Sequence, residues 1–125
     1  MKNNNKQLFF LFGGNFTIVL AGMGLFPILP LYAAQFGATR TQVGLYLTIM
    51  YIAITLGSFV PGWLAGKVPP RGLFVAAGIA GIPSLVLMGQ VQTLWQLVGL
   101  TAVLWFCGGV GLALISVFTG MVANK

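Results

Sequence analysis

A chain of 125 residues that is 58% hydrophobic and 5% charged cannot clothe itself in a water-facing surface, because soluble domains carry roughly 25% charged residues. Its six Lys and Arg are accompanied by no Asp, Glu or His, which removes the side chains of general acid–base catalysis and of most metal sites, and six scattered cations do not make the clustered basic face that nucleic acid requires. The composition points to an integral membrane protein with no enzyme activity, catalytic residues, metal, cofactor or nucleic-acid partner, and with the lipid bilayer as its surroundings.

A hydrocarbon core of about 30 Å takes about 20 apolar residues in a helix. Lys2, Lys6, Arg40, Lys67, Arg71 and Lys125 cut the chain into charge-free stretches on that scale. The first predicted helix covers 8–32. Lys2, Lys6 and Val19-Leu20-Ala21 could suit a signal peptide, but the apolar run continues through Tyr32, longer than such a core. The second helix covers 42–65 and the third 72–89. The polar run Gln90-Val91-Gln92-Thr93 parts the third from a fourth over 94–118. The fold class is therefore all-α, with four transmembrane helices. Pro27, Pro30, Pro61 and Pro83 fall inside these helices and are expected to bend or loosen them.

Four spans place both termini and the loop between helices two and three on one side. That side collects Lys2, Lys6, Lys67, Arg71 and Lys125, against Arg40 alone on the other. The positive-inside rule puts both termini in the cytoplasm of a multi-pass protein of the plasma membrane. Lys67 and Arg71 then need no acidic partner, since they serve as topology anchors. Small residues let helix backbones approach in lipid. Gly62 and Gly66 form a G-x-x-x-G at the end of helix two, and Gly108, Gly109 and Gly111 leave part of helix four nearly bare. Packing seams are expected at both. Cys107 is the single cysteine, without a disulfide or metal partner, and reads as a small core residue.

The segment Gly62-Trp63-Leu64-Ala65-Gly66-Lys67-Val68-Pro69-Pro70-Arg71 resembles the loop between helices two and three of major facilitator superfamily transporters, G-x-L-A-D-[RK]-x-G-[RK]-[RK]. Gly62, Leu64, Ala65, Lys67 and Arg71 match, while Gly66 stands at the Asp position and Pro69 and Pro70 replace a Gly and a cation. In helix one, Leu20, Ala21 (for Gly), Pro27, Ile28 (for Val) and Pro30 follow l-g-x-x-x-x-x-P-v-x-P, a pattern of the superfamily's drug–proton antiporters. The resemblance implies a partial N-terminal half of a two-half secondary transporter, with substrate held between the halves near the bilayer midplane. It further implies a small-molecule substrate of unknown identity, drug efflux as one activity, an inner-membrane location, and the missing remainder of the transporter as a partner. The loop Asp that serves the family's cytoplasmic gate is absent. So is the helix-four Arg tied to proton transfer, whose position falls on Trp105 or Leu104. Four helices without these groups are not expected to transport alone.

In the family, helices one and four line the central cavity and helix three lies at the periphery. The substrate-binding residues so implied are Asn15, Gly22, Thr101 and Trp105. Gly22 follows Asn15 by seven residues on one helical face, and Thr101, Trp105 and Gly108 share another by their spacing. An unpaired buried amide at Asn15 would cost about 1–3 kcal/mol. Alternatively, Asn15 bonds a neighbouring helix and Trp105 only packs. Asn15 and Trp105 are expected to face one side of the four-helix group. Two other readings remain: a complete four-helix small multidrug exporter, whose relatives share a helix-one Glu that this chain lacks, and a small membrane protein with a structural or assembly role.

Overall fold

The structure is a computed structural model that describes residues 2–64 and 66–123, the side chains of 2–5, 7, 8, 21 and 123 excepted. Ala65 of the loop motif, the Ala21 side chain of the helix-one motif, and the Lys2 and Lys125 charges thus lie outside what is described. Four helices follow in chain order: α1 (Lys2–Gln35), α2 (Arg40–Trp63), α3 (Pro70–Met88) and α4 (Leu94–Ala123). All four are long and apolar enough to cross a membrane. The described residues contain no strand, so the chain is all-α.

The helix ends differ from the expected ones for local reasons. α1 and α4 outrun the predicted 8–32 and 94–118, because each residue added to an existing helix gains a backbone bond at little nucleation cost. α1 stops where Phe36 and Gly37 donate to the Ala33 and Ala34 carbonyls at 3.1 and 3.0 Å. α2 starts two residues before the expected 42, on a capping box. Gln42 N donates to Thr39 Oγ1 at 3.3 Å, and Thr39 N donates to Gln42 Oε1 at 2.8 Å. It ends at Trp63 rather than 65. α3 opens on Pro70 just after the N-cap Pro69, where a missing N–H loses nothing. The four interior prolines do not break their helices: α1 runs on through Pro27 and Pro30, α2 through Pro61 and α3 through Pro83.

Helix α4 is the centre of the bundle and touches the other three, with α2 as its broadest neighbour. Along α2 the buried residues are Tyr46, Met50, Ala53, Gly57 and Pro61, spaced three or four apart on one stripe. Gly57 lies against the Phe106 carbonyl, and Gly109 of α4 against the Ile54 carbonyl, so closely that neither has room for a Cβ. Lower on the same seam, Tyr46 and Thr101 are buried and share a 3.0 Å hydrogen bond. α3 meets α4 at Gly81, where a Cβ would lie 3.4 Å from that of Cys107. The expected seam at Gly62 and Gly66 does not form. Gly62 has no neighbour within 4 Å of its Cβ position, and Gly66 is a turn residue with φ +81°.

The main core is gathered at the end of the bundle that holds the α1–α2 and α3–α4 connections. Leu29, Ala33, Tyr46, Met50, Met88 and Leu97 are among its members. There Tyr32 Oη donates to the Met88 carbonyl at 3.3 Å, tying α1 to the end of α3. Towards mid-span α1 and α3 flank α4 without an extended contact of their own.

Candidate functional site

Between α1 and α3, with α4 as its floor, runs a groove with a volume of about 580 Å³. α1 supplies Ile18, Gly22 and Phe26, and α3 supplies Phe74, Gly78 and Gly81. From α4 come Leu104, Trp105, Cys107 and Gly108, while α2 reaches in with Tyr51 and Ile54. Phe26 is the hinge of an aromatic corner. Its ring stands edge-on to Tyr51 at 5.7 Å and to Trp105 at 6.4 Å between centroids, arrangements that aromatic quadrupoles favour. No charged side chain lines the groove. Trp105 Nε1 is buried and finds no acceptor, which costs about 1–3 kcal/mol. Such a surface can hold apolar matter, and it has no charged group to pair with an ion.

Of the residues expected to meet substrate, two come together. A Cβ on Gly22 would lie 3.8 Å from Trp105 Cη2, so Gly22 is what lets the indole lie against α1. Thr101 points elsewhere. It is fully buried towards α2, its hydroxyl donates to the Leu97 carbonyl at 2.6 Å, and it therefore accepts from Tyr46 Oη. Residues four apart on a helix are offset by about 40°, enough on a helix packed on three sides to send Trp105 to α1 and Thr101 to α2. Asn15 is half-buried on the α1 stripe that continues through Ile18, Gly22 and Leu25, but it does not line the groove.

The motif residues lie mostly at the surface. In the α2–α3 connection Gly62, Lys67 and Arg71 are exposed and Leu64 is half-buried, with Lys67 Nζ 5.4 Å from the Trp63 ring centroid. With neither Asp nor Glu in the sequence, these cations have no acidic side chain to pair with in the chain. In α1, Leu20 and Ile28 are 60% and 56% exposed, Pro27 is exposed and Pro30 half-buried. Sequence reasoning missed Gly57, Tyr46 and Phe26. The run Tyr46, Met50, Ala53, Gly57, Pro61 carried the signal for the first two, since it places a stripe ending in small residues on one face of α2.

Residues 11–125 match the family model described as Major Facilitator Superfamily. The multidrug resistance protein MdtG of Serratia proteamaculans is 30% identical to this chain over 112 residues, which are 86% of this chain and 27% of the relative. The protein of the same name from Erwinia billingiae has the same identity and coverage. That of Salmonella arizonae is 30% identical over 105 residues, 80% of this chain and 24% of its own length. The chain thus spans roughly a quarter of the length of these curated relatives. No solved structure matches it. Four apolar helices gathered on α4, and a family match that runs through every one of them, place this chain in the Major Facilitator Superfamily.

Proposed function

We propose that these 125 residues are an N-terminal fragment of a secondary transporter for a small molecule, of the drug-efflux kind, with both termini in the cytoplasm. The observation that carries the reading is the match over residues 11–125 to a transporter family, joined to relatives named for multidrug resistance that are far longer than this chain. Catalysis is no part of the proposal. Substrate contact is assigned to Asn15, the one polar side chain of the α1 packing stripe that lies inside the apolar run and outside the groove. Thr101 is left out because Tyr46 and Leu97 occupy its hydroxyl.

Transport by such a protein needs the remaining helices, for two physical reasons. A binding site between two halves cannot close around a substrate when only part of one half is present. A chain without Asp, Glu or His also has no carboxylate or imidazole with which to carry a proton through the membrane. The test is reconstitution of the purified chain in liposomes under an imposed pH gradient, with ethidium as the probe. No gradient-driven flux is expected. Flux that a protonophore abolishes would overturn the proposal that the chain is only part of the transporter.

A further inference from the structure

We infer that the α2–α3 connection is a headgroup site for anionic phospholipid, in which Lys67 and Arg71 bind the phosphate and the Trp63 ring holds Lys67 in place. This goes beyond the transporter reading and does not depend on it. Trp63 is the last residue of α2 and is 74% exposed. An indole at the end of a span sits at headgroup level, where its apolar body and its N–H suit the two sides of the boundary. Lys67 Nζ lies 5.4 Å from the centroid of that ring, within the reach of cation–π attraction. The ammonium is thereby kept at the depth of the phosphates.

The connection is short and bonded within itself. Residues 64–69 are all that part α2 from α3. Lys67 N and Val68 N both donate to the Leu64 carbonyl, at 3.0 and 3.3 Å, and Gly66 turns the chain at φ +81°. Beyond the turn, Gly72 N and Leu73 N both donate to the Pro69 carbonyl, at 3.0 and 3.3 Å. Arg71 therefore rides on the ordered first turn of α3. Two exposed cations stand on a backbone that is already fixed, which lowers the ordering cost of gripping a ligand.

The sequence holds neither Asp nor Glu to neutralise them. A phosphatidylcholine headgroup brings its own cation, for which this connection has no acidic side chain. Phosphatidylglycerol brings none and leaves its phosphate to the two side chains, Arg71 as a planar fork and Lys67 as a point charge. A nucleic acid is a poorer occupant, since two cations do not make a basic face.

In the experiment the chain is purified in mild detergent with an equimolar mixture of phosphatidylglycerol and phosphatidylcholine, and retained lipid is counted by native mass spectrometry. Detergent offers lipid to both ends of the molecule, so inserted orientation does not enter the readout. Phosphatidylglycerol should be retained in preference. Lys67→Gln and Arg71→Gln should each cut that preference about fivefold, the effect of one cation beside an anionic surface, while Lys67→Arg should keep it. Trp63→Leu should cut it about two- to fivefold by releasing Lys67 with its charge unchanged. Lys6→Gln and Arg40→Gln remove exposed cations elsewhere on the molecule and should leave it as it was. Circular dichroism and a monodisperse elution profile check that the variants fold. As a second readout, phosphatidylglycerol brominated on its acyl chains should quench tryptophan emission in nanodiscs more than brominated phosphatidylcholine does. Trp63→Phe should remove most of that difference.

Equal retention of the two lipids would overturn the inference. So would an equal loss with Lys6→Gln or Arg40→Gln, which would mean a diffuse field of charge and no site. Displacement of the lipid by millimolar inorganic phosphate would name a soluble anion as the ligand and overturn it as well. A preference untouched by Trp63→Leu would remove the ring from the site. None of these outcomes involves flux, so the transporter reading stands or falls separately.

Discussion

At the residue scale the α2–α4 seam is decided by atoms that are missing. A methyl at Gly57 would strike the Phe106 carbonyl, and one at Gly109 the Ile54 carbonyl, neither of which can swing aside as a side chain could. Gly57→Ala and Gly109→Ala are expected to destabilise the helix pair by about 1–3 kcal/mol, read as a drop in thermal midpoint in detergent. Gly62→Ala, made at an open position, should leave the midpoint unchanged, and an equal drop there would disprove the seam. Tyr46 and Thr101 allow a finer test. Thr101 keeps its bond to the Leu97 carbonyl in Tyr46→Phe, so that change should cost no more than about 0.6–1.7 kcal/mol, the range of hydrogen bonds between membrane helices. Thr101→Val strands the buried tyrosine hydroxyl and should cost more, about 1–3 kcal/mol. The reverse order of the two midpoints would show that Tyr46 is not the donor.

At the element scale, ends and turns are set by short-range chemistry, and this is where the sequence was most readable in hindsight. Thr39 and Gln42 cap α2, and Pro69-Pro70 opens α3. Both signals were in the sequence, and only the treatment of Arg40 and Arg71 as cuts between charge-free stretches put the boundaries elsewhere. Gly66 shows the opposite case. The family's Asp position is filled here by a residue at φ +81°, a conformation that costs an L-amino acid about 1–2 kcal/mol. Gly66→Asp would therefore restore the family motif only at a loss in stability. A thermal midpoint equal to or above that of the parent chain would refute the strain. The prolines proved compatible with unbroken helices, since Pro removes one donor and neighbouring turns and helices can absorb the change.

On the scale of the whole molecule, orientation belongs to charge and shape belongs to packing. The two cations of the α2–α3 connection, Lys67 and Arg71, are exposed there, and they supply two of the five charges on the terminal side. A reporter fused after Lys125 should signal cytoplasm, and one inserted at Gln92 the outside. Replacing both loop cations with Gln should give a mixed population, because the margin falls from five against one to three against one. A pure, unchanged orientation would show that other features set it. The bundle itself is tight where its two outer connections meet and open at mid-span between α1 and α3, an asymmetry that no property of a single helix contains.

Hydropathy, length and the run of cations by themselves determined that the chain is all-α, that it has four spans, and where each lies to within a few residues. These are one-dimensional properties: a helix must satisfy its own backbone in lipid, and charge must stay out of it. The loop and helix-one motifs were enough to name the family, since they rest on residue type at fixed spacing. Only the tertiary structure decided which residues face one another. Periodicity grouped Thr101 with Trp105, yet an offset of about 40° on a helix surrounded on three sides gave one to Tyr46 and the other to Gly22. Likewise the glycines of the sequence all look alike. Whether each meets a carbonyl, a turn or open space depends on how the neighbouring helices cross. That crossing comes from interlocking side chains across helices distant in sequence, so it is absent from any single stretch of the chain.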